Sequence, residues 1–171
     1  FFLSLRECGA LTRVLPEIDA LFGVPQPVEV HPEVDTGVHT MLVLDQAVRL
    51  SHDTRVRFAA LVHDLGKALT PRQEWPRHRR HEVRGLEPIE ALCARLRVPK
   101  EHRRLALLVC RHHLKIHKLP ELRPATILEL LQALDAFRQP QRLHAFALAC
   151  EADARGRHGF EDKDYAAGDL L

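Results

Sequence analysis

Phe58-Ala59-Ala60-Leu61-Val62-His63-Asp64-Leu65-Gly66-Lys67 is the stretch on which the reading of this chain turns. An apolar run ends in a histidine and a carboxylate, and a lysine follows three residues after the carboxylate. A helix over residues 54–64 would carry Phe58, Leu61 and Val62 inward and deliver His63 and Asp64 at its end. Neutral imidazole and carboxylate both ligate divalent cations. Lys67 can then meet a phosphate oxygen as a point charge. Taken alone, Asp64 would cap a turn and Lys67 would form a surface pair of little worth. The partners must therefore come from elsewhere in the chain.

At 171 residues the chain suits one domain with a real core. Its 46 % apolar content excludes a disordered polymer. Aromatic residues are only 5 %, and leucine and alanine dominate the periodic segments, which favours helices over sheets. With 25 basic and 23 acidic residues the net charge is +2, which neither demands nor excludes a nucleic-acid partner. Cys8, Cys93, Cys110 and Cys150 stand far apart, and read as buried free thiols of a reducing, cytoplasmic compartment. No apolar run approaches a membrane span, and Phe1-Phe2-Leu3 leads into Arg6 and Glu7, not a secretory pattern. Because the chain opens on Phe1, we expect a piece of a longer protein.

The expected elements follow from apolar spacing and caps. Residues 4–15 read as a helix capped by Ser4 with Glu7 in a capping box, and a short helix follows Pro16. Residues 24–35 read as an extended, acidic linker. Asp35 or Thr36 caps a helix to about Leu50 that carries His39 near its start. After the central helix, Gly66, Pro71 and Pro76 break 66–80 into turns. Helices are then expected from His81 to Arg97, with Pro88 marking a kink, and from Pro99 to about His113. Residues 114–123 form a basic loop, followed by helices from Pro124 or Thr126 to Phe137 and from Pro140 to Ala154. The expectation is an all-α, compact bundle of seven or eight helices. We divide it into a connector at 1–30, a functional domain at 31–160 and a tail at 161–171.

His39, His63, Asp64 and Asp153 form the candidate metal shell, drawn from three helices. Asp153 closes an otherwise apolar helix, where a free carboxylate would be costly. This mixed N/O set suits Mn, Fe, Co, Ni or Zn better than a cage of oxygens alone would. His81, His112 and His113 form a second group: they either hold a second ion with Asp64 as a bridge, or touch phosphate, or protonate a leaving oxygen. Such a cation lowers the pKa of a water and draws in a phosphoryl oxygen, while Lys67 and an arginine hold the growing charge. The proton donor is one of His81, His112, His113 and His117, with Lys115 a nearby charge. His31, His78, His102, His144 and His158 read as solvated or helix-terminal.

Two basic segments flank these histidines. One holds Arg72, Arg77, Arg79, Arg80 and Arg84; the other holds Arg111, Lys115, Lys118 and Arg123. A positive rim would attract a polyanion, and Trp75 can stack on a base or pack its own loop. Arg79, Arg80 or Lys115 can meet the extra charge of a terminal phosphate.

The order His39, His63-Asp64, Asp153, with Lys67, resembles the HD superfamily of helical metal-dependent phosphohydrolases. Asp35-Thr36-Gly37-Val38-His39-Thr40-Met41, the stretch Arg57 to Pro71, Ala106 to Arg111 and Ala149 to Arg157 are similar to the C-terminal HD domain of the bacterial multifunctional CCA family of tRNA nucleotidyltransferases. The resemblance covers nearly the whole chain. It implies an HD bundle, metal ligation by His39, His63, Asp64 and Asp153, and 2′,3′-cyclic phosphodiesterase, 2′-nucleotidase and phosphatase activities. It also implies Ni2+ for the phosphatase and ions such as Mg2+ for the others. A nucleotidyltransferase domain would precede this one, the partner would be the tRNA 3′ end undergoing CCA addition and repair, and a homodimer and a cytoplasmic setting are compatible. His81, His112 and His113 match histidines that some HD enzymes use for a second ion. Two alternatives stand beside this reading: an HD hydrolase of free nucleotides, and a degenerate module that only binds tRNA or dimerises.

Overall fold

A computed structural model describes residues 1–165; positions 166–171 of the expected tail lie outside the described residues. The chain runs through α1 (Phe2–Glu7), α2 (Leu11–Val14), α3 (Pro16–Asp19), α4 (Thr36–Leu50), α5 (Thr54–Val62), α6 (His81–Arg84), α7 (Leu86–Arg95), α8 (Lys100–Ile116), α9 (Pro124–Ala133) and α10 (Pro140–Arg155). Short 3-10 turns occupy Leu65–Leu69, Arg72–Glu74 and Leu119–Glu121. Among the described residues there is no strand, only an isolated bridge between Pro25 and Asp35. The architecture is the expected all-α bundle.

α5 is the axis, packed on α4, α8 and α10. Its most buried side chains are Val56, Ala59, Ala60 and Val62. Of the three residues expected to point inward, Val62 does so, while Phe58 and Leu61 are partly buried at the margin of the core. Neighbours surround α5 on several sides, so alanines let the flanking backbones approach and the larger residues fill the edges. Asp35 caps α4 by accepting from the Val38 amide at 3.0 Å, and Asp53 caps α5 by accepting from the Arg55 amide at 2.8 Å.

Several boundaries move for identifiable reasons. The helix expected over 4–15 breaks into α1 and α2 at Gly9, whose φ of 73° is left-handed. Ser4 therefore lies inside α1 and caps nothing. The helix expected from His81 divides at Gly85, and Pro88 falls in the first turn of α7, where a missing N–H costs nothing. α8 continues through Lys115 to Ile116, so that lysine is helical and not in a loop. α9 stops at Ala133, and the chain reverses through Asp135 at φ 56°. Cys93, Cys110 and Cys150 are buried free thiols, but Cys8 is exposed because α1 buries none of its residues. Ile18 and Leu21 join the core of the bundle, so the leading segment packs here rather than standing apart.

Two glycines fix the geometry around the end of α5. A Cβ on Gly66 would lie 2.0 Å from the His81 carbonyl oxygen and 2.6 Å from the Gly85 amide. A Cβ on Gly156 would meet Val43 at 2.5 Å. The first contact seats the Leu65–Leu69 turn on α6; the second brings the end of α10 against α4. Gly66→Ala is expected to destabilise the chain by about 1–3 kcal/mol through overpacking against backbone that cannot give way. Urea denaturation of the two proteins measures it, and an unchanged midpoint contradicts the account.

Candidate metal centre

Four histidines converge, each oriented by a main-chain carbonyl, three of them by one within their own turn. His63 Nδ1 donates to the Ala60 carbonyl at 2.8 Å, His81 Nδ1 to the His78 carbonyl at 2.9 Å, and His39 Nδ1 to the Gly156 carbonyl at 2.9 Å. His113 Nδ1 lies 3.0 Å from the Cys110 carbonyl and 3.1 Å from that of Val109. A carbonyl only accepts, so each Nδ1 carries a proton and each ring turns its Nε2 to the interior, where it is a lone pair whenever the ring is neutral. All four rings are buried.

Two carboxylates stand among those nitrogens. Asp153 Oδ1 is 3.0 Å from His39 Nε2 and 3.5 Å from His63 Nε2. Asp64 Oδ2 is 3.2 Å from His63 Nε2 and 3.9 Å from His39 Nε2. Its other oxygen, Oδ1, faces the opposite group, 3.3 Å from His81 Nε2 and 3.9 Å from His113 Nε2. Two three-ligand sets result, His39–His63–Asp153 and Asp64–His81–His113, each with its ligand atoms within 4.8 Å of one another. Asp64 reaches toward both.

The donor set fits a cation. His63 Nε2 and both Asp64 oxygens are buried with no aligned hydrogen-bond partner. Lys67 Nζ is 2.6 Å from Asp64 Oδ2, a charge contact off the hydrogen-bonding direction. Burial alone would push the His63 imidazole down, but the Asp64 and Asp153 charges outweigh it and hold its pKa at about 10. A proton there is the smallest cation available to that field. Burial would also raise both carboxyls, yet the charges of His63 and Lys67 keep Asp64 low. The charge of His63, with the hydrogen bond from His117, does the same for Asp153. His113 is pushed down to about 3 by burial and His81 is lowered by the same cause. Two neutral rings thus place Nε2 atoms 3.4 Å apart, an arrangement that an ion beside both would satisfy.

A cavity of about 280 Å³ opens onto this centre. Asp64, Lys67, His81, His113, His117 and Asp153 line it, with His31, Gln26, Arg77 and Arg157 on its walls. His117 Nε2 lies 2.8 Å from Asp153 Oδ2, and its Nδ1 is 3.3 Å from the Tyr165 hydroxyl. Lys67 Nζ also donates to Gln26 Oε1. The residues expected from the sequence are therefore brought together at His39, His63, Asp64, Asp153, Lys67, His81, His113 and His117. His112, Lys115, Arg79 and Arg80 do not line this cavity. His112 and Lys115 lie on other faces of α8 than His113, and Arg79 and Arg80 line a neighbouring trough.

Two histidines expected to be solvated are not. His78 is 2 % exposed, with Nε2 donating to the Pro25 carbonyl at 2.7 Å and Nδ1 2.5 Å from Thr70 Oγ1. His31 is partly buried, 3.0 Å from Glu33 Oε1, its ring set edge-on to His39 at 4.5 Å. Glu33 itself escaped the sequence reading. Its Oε1 lies 2.9 Å from His39 Nδ1, so a buried carboxylate backs a candidate ligand from the supposed linker. The alternation His31-x-Glu33-x-Asp35 before the α4 cap was the available signal.

Residues 36–153 match the HD domain family. The chain is 62 % identical over 171 residues to the multifunctional CCA protein of Alkalilimnicola ehrlichii, covering all of this chain and 41 % of that protein. It is 57 % identical over 172 residues to the multifunctional CCA protein of Stenotrophomonas maltophilia, covering 42 % of it. It is also 57 % identical over 165 residues to that of Acinetobacter baumannii, covering 96 % of this chain and 40 % of that protein. The chain spans about two fifths of the length of these curated relatives.

Glu33→Gln is expected to weaken divalent-metal affinity by about 10–100-fold, read by competition with a fluorescent chelator. Equal affinity contradicts the backing role. In the metal-free chain, His63 lies above its ordinary 6.5 and His113 below it. The His63 contribution to stability is complete below pH 6.5 and is lost as pH rises through about 10. The His113 contribution is complete above pH 6.5 and is lost as pH falls toward about 3. Tm with a chelator should peak near pH 6.5, and added metal should flatten the alkaline fall by replacing the His63 proton. A Tm rising steadily to pH 9 without metal contradicts this assignment.

Proposed function

On the premise that this chain belongs to the HD domain family, we propose that it is a metal-dependent phosphohydrolase. It acts on 2′,3′-cyclic phosphodiesters and on 2′-phosphate or other phosphate monoesters of nucleotides. We tie this activity to addition and repair of the tRNA 3′ CCA end, with the remainder of a longer protein supplying nucleotidyl transfer. The single observation that carries the hydrolase reading is Asp64, whose two oxygens face two buried sets of histidine Nε2 atoms at the floor of a nucleotide-sized cavity.

His39, His63, Asp64 and Asp153 would hold the ion, and His81 and His113 would hold a second one across Asp64. A bound divalent cation supplies an acidified water and a counter-charge for a phosphoryl oxygen. Ni2+ or Mg2+ follows from the family likeness, and the nitrogen-rich donor set equally admits Mn2+, Co2+, Fe2+ or Zn2+. The chain's own residues bind and orient. Lys67 is fixed between Asp64 and Gln26 with a donor left for a phosphate oxygen. Arg77 and Arg157 bring further positive charge to the cavity walls. Hydrolysis of a strained cyclic diester forms a P–O bond to a water oxygen, which gives up a proton, and breaks the P–O bond to one ribose oxygen, which takes a proton. His117, on the cavity wall and hydrogen-bonded to Asp153, is the imidazole best placed to give it.

Asp64→Ala is expected to lose bound divalent metal and to reduce hydrolysis of 2′,3′-cyclic AMP by at least about 100-fold, whereas Lys67→Ala keeps the metal and loses about 10–100-fold in rate. Elemental analysis together with phosphate release measures both. Unchanged metal and rate in Asp64→Ala would sink the reading, and an inactive wild-type chain with metal bound would favour the binding-module alternative.

A further inference from the structure

Beside the cavity over the candidate metal centre lies a second, larger one of about 630 Å³. The two adjoin, with Pro76 and Arg77 lining both. Trp75, Arg79, Arg80 and Arg84 line the second. Its one carboxylate, Glu74, is already engaged by Arg84 at 3.3 Å. Among the described residues Arg77, Arg79 and Arg80 make no ion pair, and Arg79 and Arg80 are exposed. The floor is firmly held. Trp75 Nε1 donates to the Thr70 carbonyl at 3.2 Å, and the buried His78 ring ties the same turn to Thr70 and to the Pro25 carbonyl. His78 and Arg80 adopt left-handed φ values of 45° and 60°, uncommon without glycine. That backbone carries Arg79 and Arg80 along the trough, while Arg77 lines both cavities.

A mononucleotide whose phosphate sits at Asp64 and Lys67 fills the first cavity and leaves this trough empty. The unneutralised guanidinium groups of Arg77, Arg79 and Arg80 match the spaced charges of a phosphodiester backbone, and the Trp75 indole on the same wall, with the Arg72 guanidinium 5.6 Å from its centroid, adds an aromatic and cationic contact for a base. We propose that the Trp75–Arg84 trough binds the single-stranded RNA strand whose terminal phosphate occupies the metal pocket, so that polynucleotide ends are preferred over free nucleotides. The inference rests on the proposed hydrolase reading for its terminal phosphate, but binding can be measured without catalysis.

The test uses the 171-residue chain and the double variant Arg79→Ala, Arg80→Ala. Fluorescence anisotropy with a labelled single-stranded RNA dodecamer ending in a 3′-phosphate is run in chelator across a salt series. The variant should bind at least about 10-fold more weakly and its salt slope should be shallower by about 1.4, for two lost phosphate contacts. The charge-preserving Arg79→Lys, Arg80→Lys variant should restore most of the affinity, which separates this loss from misfolding. With metal added, kcat/KM for 2′,3′-cyclic AMP should stay within about twofold of wild type, while that for the same dodecamer ending in a 2′,3′-cyclic phosphate falls about 10-fold, mainly through KM. Equal RNA affinity in wild type and double variant overturns the proposal, as does a loss shared equally by both substrates. Competition by poly-glutamate as strong as by RNA overturns the polynucleotide assignment. A wild type that hydrolyses neither substrate removes the proposed reaction, while the chelator binding data still decide the trough.

Discussion

Everything around the centre depends on how an aspartate can be buried with neither oxygen satisfied by the protein. Asp64 is 1 % exposed, and its surroundings offer imidazole nitrogens and one lysine instead of aligned donors. A buried carboxylate left in that state costs several kcal/mol unless a positive charge meets it. In the bare chain the charges on His63 and Lys67 do so. A divalent cation does it better, because it satisfies the carboxylate and the inward lone pairs together. Stability and affinity for metal are thus two readings of one electrostatic problem, and the bundle is built to hold that problem in place.

The helices that frame it are ordinary in composition. Alanines on α5 allow close packing, and capped N-termini at Asp35 and Asp53 define where α4 and α5 begin. The specific requirements fall at the junctions. Gly66 admits the His81 carbonyl and Gly156 admits α4, and both junctions carry candidate ligands on at least one side. Small residues therefore set the distances, while the large ones mostly fill space.

His39, His63, Asp64 and Asp153 were legible because polar residues at the ends of apolar helical runs announce themselves. The bundle was legible for the same reason, since its periodicity lies in leucine and alanine. Glu33, His31 and His78 were not, because they sit in segments without period, where a solvated and a buried histidine look alike in one dimension. Their burial comes from the loop over 24–35 folding back on α4 and on the turn after α5. The adjacent His112-His113 pair shows the opposite limit. Both are eligible by residue type, and only helical phase, about 100° per residue, separates the ring that faces Asp64 from the one that does not.

Three of the four inward rings take their orienting bond from a carbonyl within four positions of themselves in the chain. For those three, aim is fixed by the turn that carries the ring, whereas His39 is aimed from the end of α10 through the Gly156 carbonyl. A centre assembled from such self-contained parts degrades by single losses: removing one member leaves the others still directed at the gap, ready for a different ion or a different occupant.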